Sequence, residues 1–316
     1  MDVADPEPSP GVLLFRRDYH GPSGGHLKVW HYYLHARESR RFTPRLFVTP
    51  ASLVDDGCPW RGVTTLADWR PGEVAALFVA GLDWEALPDD PGRPVINLVQ
   101  GVRHADPADP RYRHLARPAV RICVSAEVAR AITATGIVNG PAHVIPAALD
   151  PADLPPPATA RDIPVLVAGA KQPALARDVA ARLRDRGLAV TCLTTALPRR
   201  AFLDHLARAE VAVLLPLEAE GFFLPALEAL ALGALVVCPD CIGNRAICRD
   251  RVTALVPAFD AGAIAEAARE ALALPAATRR ALRTAAASVV ARHGLAEERR
   301  AFLAILDSLP PTGGRP

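Results

Sequence analysis

The strongest constraint on this chain is a sustained alternation: short apolar runs follow one another from Gly11 to Cys238, each separated by a stretch patterned for a helix. That grammar specifies an α/β protein with parallel sheets and excludes segregated α and β regions. The runs predict strands at Gly11–Phe15, Arg45–Val48, Ala75–Val79, Pro94–Val99, Val120–Val124 and His143–Ile145 in the first half, with helices opening near His26 and at Ala126, the latter capped by Ser125. The second half restarts the pattern with strands at Val165–Val167, Ala189–Leu193, Val211–Leu215 and Ala234–Cys238. Helices alternate with these at Ala174–Arg186, Arg200–Ala209 and Pro225–Leu232. Helices alone close the chain, at Asp260–Ala273, Pro275–Ala291 and Leu295–Leu309, before a Pro/Gly tail expected to fray.

The two halves meet at Asp150–Pro164, which holds Pro151, Pro155, Pro156, Pro157 and Pro164 and reads as a linker. The expected architecture is therefore two Rossmann-like doubly wound domains facing a central cleft, residues 1–150 and 151–316, with the option that the last helix packs back on the first domain.

Composition narrows the function classes. Lys and Arg number 36 against 34 Asp and Glu, so a formal charge of +2 gives no basic footprint for nucleic acid. Only Lys28 and Lys171 are lysines; with abundant Ala and 31 prolines, this arginine bias points to a GC-rich, bacterial genome. The acidic, proline-rich Met1–Pro10 lacks the layout of a secretion signal, which makes a cytoplasmic location the expectation. Gly221–Cys238 is the most membrane-like stretch, but Pro225 and Gly233 interrupt it, and it reads as a buried helix followed by a buried strand. No transmembrane segment is expected, although peripheral membrane contact stays open. Cys238 and Cys241 form a C-x-x-C without a second ligand pair at short spacing, so buried thiols are expected and no zinc.

The chemistry concentrates at Pro216–Glu228, PLEAEGFFLPALE, at the carboxyl end of a predicted strand, where doubly wound sheets gather their ligands. Pro225 falls where a helix should start, so the amides of Phe222, Phe223 and Leu224 are expected at a helix N-terminus suited to a phosphate or sugar hydroxyls. Glu228 lies about one turn into that helix, placed to accept both hydrogens of a vicinal diol, and Glu220 sits at the loop tip within reach of sugar hydroxyls. For an isolated glutamate, a helix-dipole or ion-pair role is the plainer reading.

Glu220–Val237, EGFFLPALEALALGALVV, resembles the E-G-F-G-L-P-x-x-E-A-x-A-x-G-x-P-V-V pattern of nucleotide-sugar glycosyltransferases of GT-B fold, the family-4-like members in particular. The likeness extends from about Gly11 to about Leu309. It implies that Glu220 lies near the transferred sugar, that the backbone of Gly221, Phe222, Phe223 and Leu224 holds sugar hydroxyls or the diphosphate, and that Glu228 binds the nucleotide ribose. Lys171, in G-A-K-Q, is the implied base at the diphosphate, without an evident arginine partner. Gly24 and Gly25 match the glycine-rich turn of the first domain, and Thr194 ends the strand where the nucleobase rests in the family.

Three departures stand out. Phe223 replaces a glycine and adds bulk near the sugar; G-N-R-A-I at Gly243–Ile247 replaces G-G-x-x-E, leaving Asn244 and Arg245 as substitutes; and P-A-A-L-D at Pro146–Asp150 replaces P-N-G-x-D. In the first half, Gln100, Arg103 and His104 follow a predicted strand, with His104 positioned to stack on or hydrogen-bond donor or acceptor. Asp83 and Trp84 either touch an acceptor or fill a surface of the domain.

The resemblance thus implies an enzyme moving a sugar from a nucleoside diphosphate sugar to a glycan, lipid-linked or small-molecule acceptor, with retention. It needs no resident cofactor, and no two aspartates stand in the D-x-D spacing that holds a divalent ion in the other glycosyltransferase architecture. A non-catalytic partner or pseudoenzyme and a nucleotide-sugar epimerase are the alternatives. No G-x-G-x-x-G follows a first strand, which disfavours a dinucleotide oxidoreductase.

Overall fold

A computed structural model describes residues 10–21, 23–156 and 160–310. The acidic start before Pro10, Pro22, Pro157 and the tail from residue 311 lie outside these residues. The chain divides into two compact units, residues 1–145 with 298–316, and residues 146–297.

Unit 1 carries a six-stranded sheet: β1 (Gly11–Arg17), β2 (Phe42–Val48), β3 (Ala76–Ala80), β4 (Val95–Val99), β5 (Val120–Cys123) and β6 (Ala142–Val144). Every pairing is parallel and the order is β2-β1-β3-β4-β5-β6. β3 and β4 are buried at every residue, which is why they read as unbroken apolar runs and not as alternating ones. The single polar residue there, Asn97, donates from Nδ2 to the Val79 carbonyl at 3.2 Å. Helix α1 (Gly24–Ala36) starts two residues earlier than its pattern suggested, because Ser23 Oγ accepts the His26 amide hydrogen. Ser125 caps α2 (Ala126–Thr133) in the same way, accepting from Val128 N.

Unit 2 repeats the topology with four parallel strands, β7 (Ile163–Ala168), β8 (Val190–Leu193), β9 (Ala209–Leu214) and β10 (Leu235–Val237), in the order β10-β9-β7-β8. Helices α3 (Pro173–Arg184), α4 (Arg199–Arg208), α5 (Leu224–Ala231), α6 (Ala261–Ala273) and α7 (Ala276–Val290) belong to it. Aliphatic side chains of β7, β9 and β10 pack with α3 and α6 into one buried cluster.

One expectation needs correction. Pro164 was assigned to the linker but lies inside β7, exposed between two buried residues. β8 begins to pair only at Val165, so the missing N–H of Pro164 falls before the strand is paired on both sides. The last helix, α8 (Leu295–Ser308), does not belong to unit 2 throughout: from Glu298 onward it is part of unit 1. There Glu298 is buried and receives hydrogen bonds from Lys28 Nζ and His35 Nε2 of α1, while Phe302 meets Tyr32 edge-on at 4.9 Å between centroids. The apolar stretch Gly221–Cys238 folds as α5 and β10. Among the described residues no helix is long and apolar enough to cross a membrane.

Candidate functional site

In a parallel sheet whose order reverses, the loops leaving the carboxyl ends of the two strands at the reversal diverge and open a ligand crevice. In unit 2 that point lies between β7 and β9. The loop after β7 carries Lys171 and the loop after β9 carries Glu220. The two side chains meet there, Lys171 Nζ donating to Glu220 Oε1 at 2.5 Å. The lysine is 55% exposed and the carboxylate 14%.

Glu228 lies on the first turns of α5, with Pro225 at the helix start. Its side chain is 3% exposed, and Arg199, the first residue of α4, donates from Nη1 to its Oε1. Burial raises the Glu228 carboxyl above the usual 4.5, with the Arg199 charge and hydrogen bond opposing that rise and Asp153 reinforcing it. Asp153 is itself raised by burial, against Arg199. Glu228 Oε2 has no hydrogen-bond partner among the described residues, so one carboxylate oxygen is fixed and the other is left to accept.

Sequence reasoning missed Arg199 and Asp153. The basic partner was sought beside Lys171 after β7, whereas Arg199 lies in the loop-to-helix junction after β8, an equivalent carboxyl end. That position was the available signal.

The turn at Ile242–Asn244 has a role other than the expected one. Asn244 is buried; its Oδ1 accepts from Cys241 N, and its Nδ2 donates to the Pro239 carbonyl and to Cys238 Sγ. Its amide is consumed internally, so Asn244 is no donor-binding residue and does not replace a missing acid. Arg245 pairs with Asp240 through two nitrogens. Gly243 touches the Glu220 loop so closely that a Cβ there would lie 2.7 Å from Phe222 N and 2.8 Å from the Glu220 carbonyl. The Phe223 amide donates to the Gly243 carbonyl and Ile242 N to Glu218 O. The Phe223 amide is therefore not free for a ligand, and its ring is buried in unit 2. Phe222 is half-buried with its ring 5.5 Å from that of His293. Gly221 and Leu224 are buried in the same loop, and Thr194, half-buried, follows β8 as expected.

His104, Gly24 and Gly25 lie in unit 1. Gly25 lines a cavity of about 590 Å³ at the carboxyl ends of β1, β3 and β4, again beside a sheet reversal, and His104 lines it too. Gln100 Nε2 donates to the Gly25 carbonyl at 3.3 Å, and a Cβ on Gly25 would come within 3.0 Å of Gln100 Oε1. Burial lowers the His104 imidazole to about 3, helped by Arg111, Arg103 and Arg121 against Asp109, so the ring is neutral at physiological pH. Asp83 is buried between Arg16 and Arg17 and accepts from both, and Trp84 is core, its ring parallel to that of His114. Among the described residues no group of three or more His, Cys, Asp or Glu is placed to hold a metal ion.

Residues 149–273 match the sequence model of a family described as Glycosyl transferases group 1. The chain carries a group 1 glycosyltransferase domain on a GT-B fold. Solved structures agree on the fold. Sucrose-phosphate synthase from Thermosynechococcus elongatus is 14% identical over 94% of this chain and 98% of its own, with a TM-score of 0.65. HepE of Anabaena, solved with UDP-glucose, is 14% identical over 95% and 100%, with a TM-score of 0.72. A glycosyltransferase from Rickettsia africae is 11% identical over 95% and 100%, with a TM-score of 0.65. No curated protein sequence matches the chain. The E-x7-E segment, Glu220 to Glu228, lies inside the matched region.

Proposed function

We propose that the enzyme transfers a sugar from a nucleoside diphosphate sugar to an acceptor hydroxyl, with retention of anomeric configuration and without a metal ion. The observation that carries this is the meeting of Lys171 and Glu220 at the sheet reversal of unit 2, with Glu228 and its Arg199 on the helix that follows the Glu220 loop. An exposed ion pair of this kind is worth only about 0–1 kcal/mol, so a diphosphate can displace Glu220 from Lys171 at little cost. Lys171 then faces the leaving group and Glu220 is released to accept from a sugar hydroxyl. Glu228, held at one oxygen by Arg199, accepts a ribose hydroxyl at the other.

In the reaction the bond from the anomeric carbon to the diphosphate oxygen breaks and its electron pair stays with the diphosphate. A bond from the acceptor oxygen to the same carbon forms on the same face, and the acceptor proton passes to the departing phosphate oxygen. Lys171 and the Leu224 amide at the start of α5 stabilise the charge that gathers there; removal of one such donor typically raises a barrier by about 2–4 kcal/mol. HepE was solved with UDP-glucose, which makes UDP-glucose the first donor to try.

The test is a panel of nucleotide sugars with the full chain, following nucleoside diphosphate release and the anomeric proton of the product by NMR, with and without EDTA. Slow turnover that persists in EDTA and yields the donor's anomeric configuration is expected. An inverted product removes the retention reading, loss in EDTA removes the metal-free one, and an isomerised sugar formed without acceptor indicates an epimerase. The consumption of Asn244 inside the fold favours one second reading, a partner subunit that binds donor without turnover; donor binding with no release under any acceptor would support it.

A further inference from the structure

The unit 1 cavity has a charge pattern that the donor chemistry leaves unused. Four arginines line it, Arg16, Arg17, Arg103 and Arg111, against three carboxylates, Asp18, Asp83 and Glu85. Those carboxylates have other work. Asp83 is spent on two guanidinia at once, Arg16 at 3.2 Å and Arg17, and also accepts the Ala80 amide at 2.9 Å. Glu85 turns to Arg113, and Asp18 accepts from the Thr49 hydroxyl and faces His20, with the Arg16 charge a smaller influence on it. Arg111 is held at 2.6 Å by Asp109, which is not part of the lining, while Arg103 has no carboxylate partner among the described residues. Two guanidinia sharing one carboxylate and a third with none leave arginine charge in excess on the wall.

Two further features point the same way. Gly25 lies in the first turn of α1, a helix of 13 residues, and Ser23 Oγ takes the His26 amide but not that of Gly25. The guanidinia are also fixed before any ligand arrives, since Asp83 anchors Arg16 and Arg17 and Asp109 anchors Arg111. Anchored forks of this kind bind a three-oxygen anion through paired N–H donors at little ordering cost. The volume is that of a small-molecule site.

We infer that the acceptor of this glycosyltransferase carries a phosphate ester, bound in the unit 1 cavity by Arg16, Arg103 and Arg111 with the Gly25 end of α1. The inference rests on the proposed transfer only for the word acceptor; the anion site itself is tested by binding alone. His104, neutral beside these arginines, adds no charge of its own and is free to meet an acceptor hydroxyl.

The experiment titrates the full chain, without donor, with inorganic phosphate, glucose 6-phosphate, glucose and glucuronate by calorimetry. Vesicles of phosphatidylcholine with and without phosphatidic acid form a parallel arm. Arg103→Gln and Arg111→Gln repeat the series, with UDP-glucose titrated alongside. The expected result is binding of a phosphate monoester, soluble or in phosphatidic acid vesicles, with glucose silent, and an affinity lower by about 10- to 100-fold in each variant. The soluble and vesicle arms tell which source supplies the ester. Glucose binding as well as its phosphate, glucuronate binding better, or unchanged phosphate affinity in both variants each overturns the inference. So does loss of UDP-glucose binding in the same variants, since it would assign the arginines to the donor's diphosphate. If wild type binds no nucleotide sugar yet binds the phosphate ester, the proposed transfer fails while the anion site stands.

Discussion

Replacing Arg199 by alanine isolates the pair that the sequence did not disclose. Glu228 is 3% exposed and Arg199 31%. Removing one partner of a buried ion pair typically costs about 3–5 kcal/mol; because a third of the guanidinium is in water, part of its attraction is already screened, and about 2–3 kcal/mol at pH 8 is expected. The loss depends on pH. Burial already raises the Glu228 carboxyl above 4.5, and without Arg199 it rises further. In the window between 4.5 and that raised value the folded variant holds a proton that the unfolded chain has released, so the variant's stability falls as pH rises through the window. Urea unfolding of wild type and Arg199→Ala at pH 5 and pH 8 reads this directly. The expected loss is smaller at pH 5, and Arg199→Ala/Glu228→Gln should recover part of the pH 8 loss by removing the stranded charge. An equal loss at both pH values, or a double variant no more stable than the single one, would refute the reasoning.

Other consequences follow from the same geometry. Gly243→Ala forces a methyl against Phe222 N and the Glu220 carbonyl, both backbone, so denaturant unfolding should show a loss of about 1–3 kcal/mol, and UDP-glucose affinity should drop with it. Glu298→Ala removes the carboxylate facing the buried Lys28 ammonium in unit 1, where burial already lowers its pKa against the attraction of Glu298; about 3–5 kcal/mol should be lost, and Lys28→Met in the same chain should return much of it. His104 has an imidazole at about 3 when folded against 6.5 when unfolded, so the unfolded chain gains the proton first and stability falls as pH drops from about 6.5 toward 3. The contribution is about 5 kcal/mol at most, and an acid titration of His104→Gln should show a flatter slope than wild type.

The fold was legible because its strands are buried on both faces: β3, β4 and β9 read as apolar runs that no surface strand would show, and Ser125 and Asp260 announced their helices by capping chemistry. Pro164 misled because a proline's effect depends on which side of a strand is paired, which is a tertiary fact. The positions of Lys171 and Glu220 after their strands and of Glu228 on the first turns of a helix were legible in the sequence pattern. Arg199 was not, since one arginine among 34 has no local signature, and only the fold brings the start of α4 to α5. Asn244 failed in the opposite sense: a polar residue in a motif position looked chemical, yet a tight turn needed all of its hydrogen bonds.

The central claim is that Lys171 and Glu228 form a nucleotide-sugar site in unit 2. Calorimetric titration of UDP-glucose into the full chain and into Lys171→Ala and Glu228→Ala tests it most directly. The account predicts one site per chain in wild type, weakened by about tenfold or more in each variant. Equal affinity in all three proteins, or no nucleotide sugar of the panel bound by wild type, would contradict it.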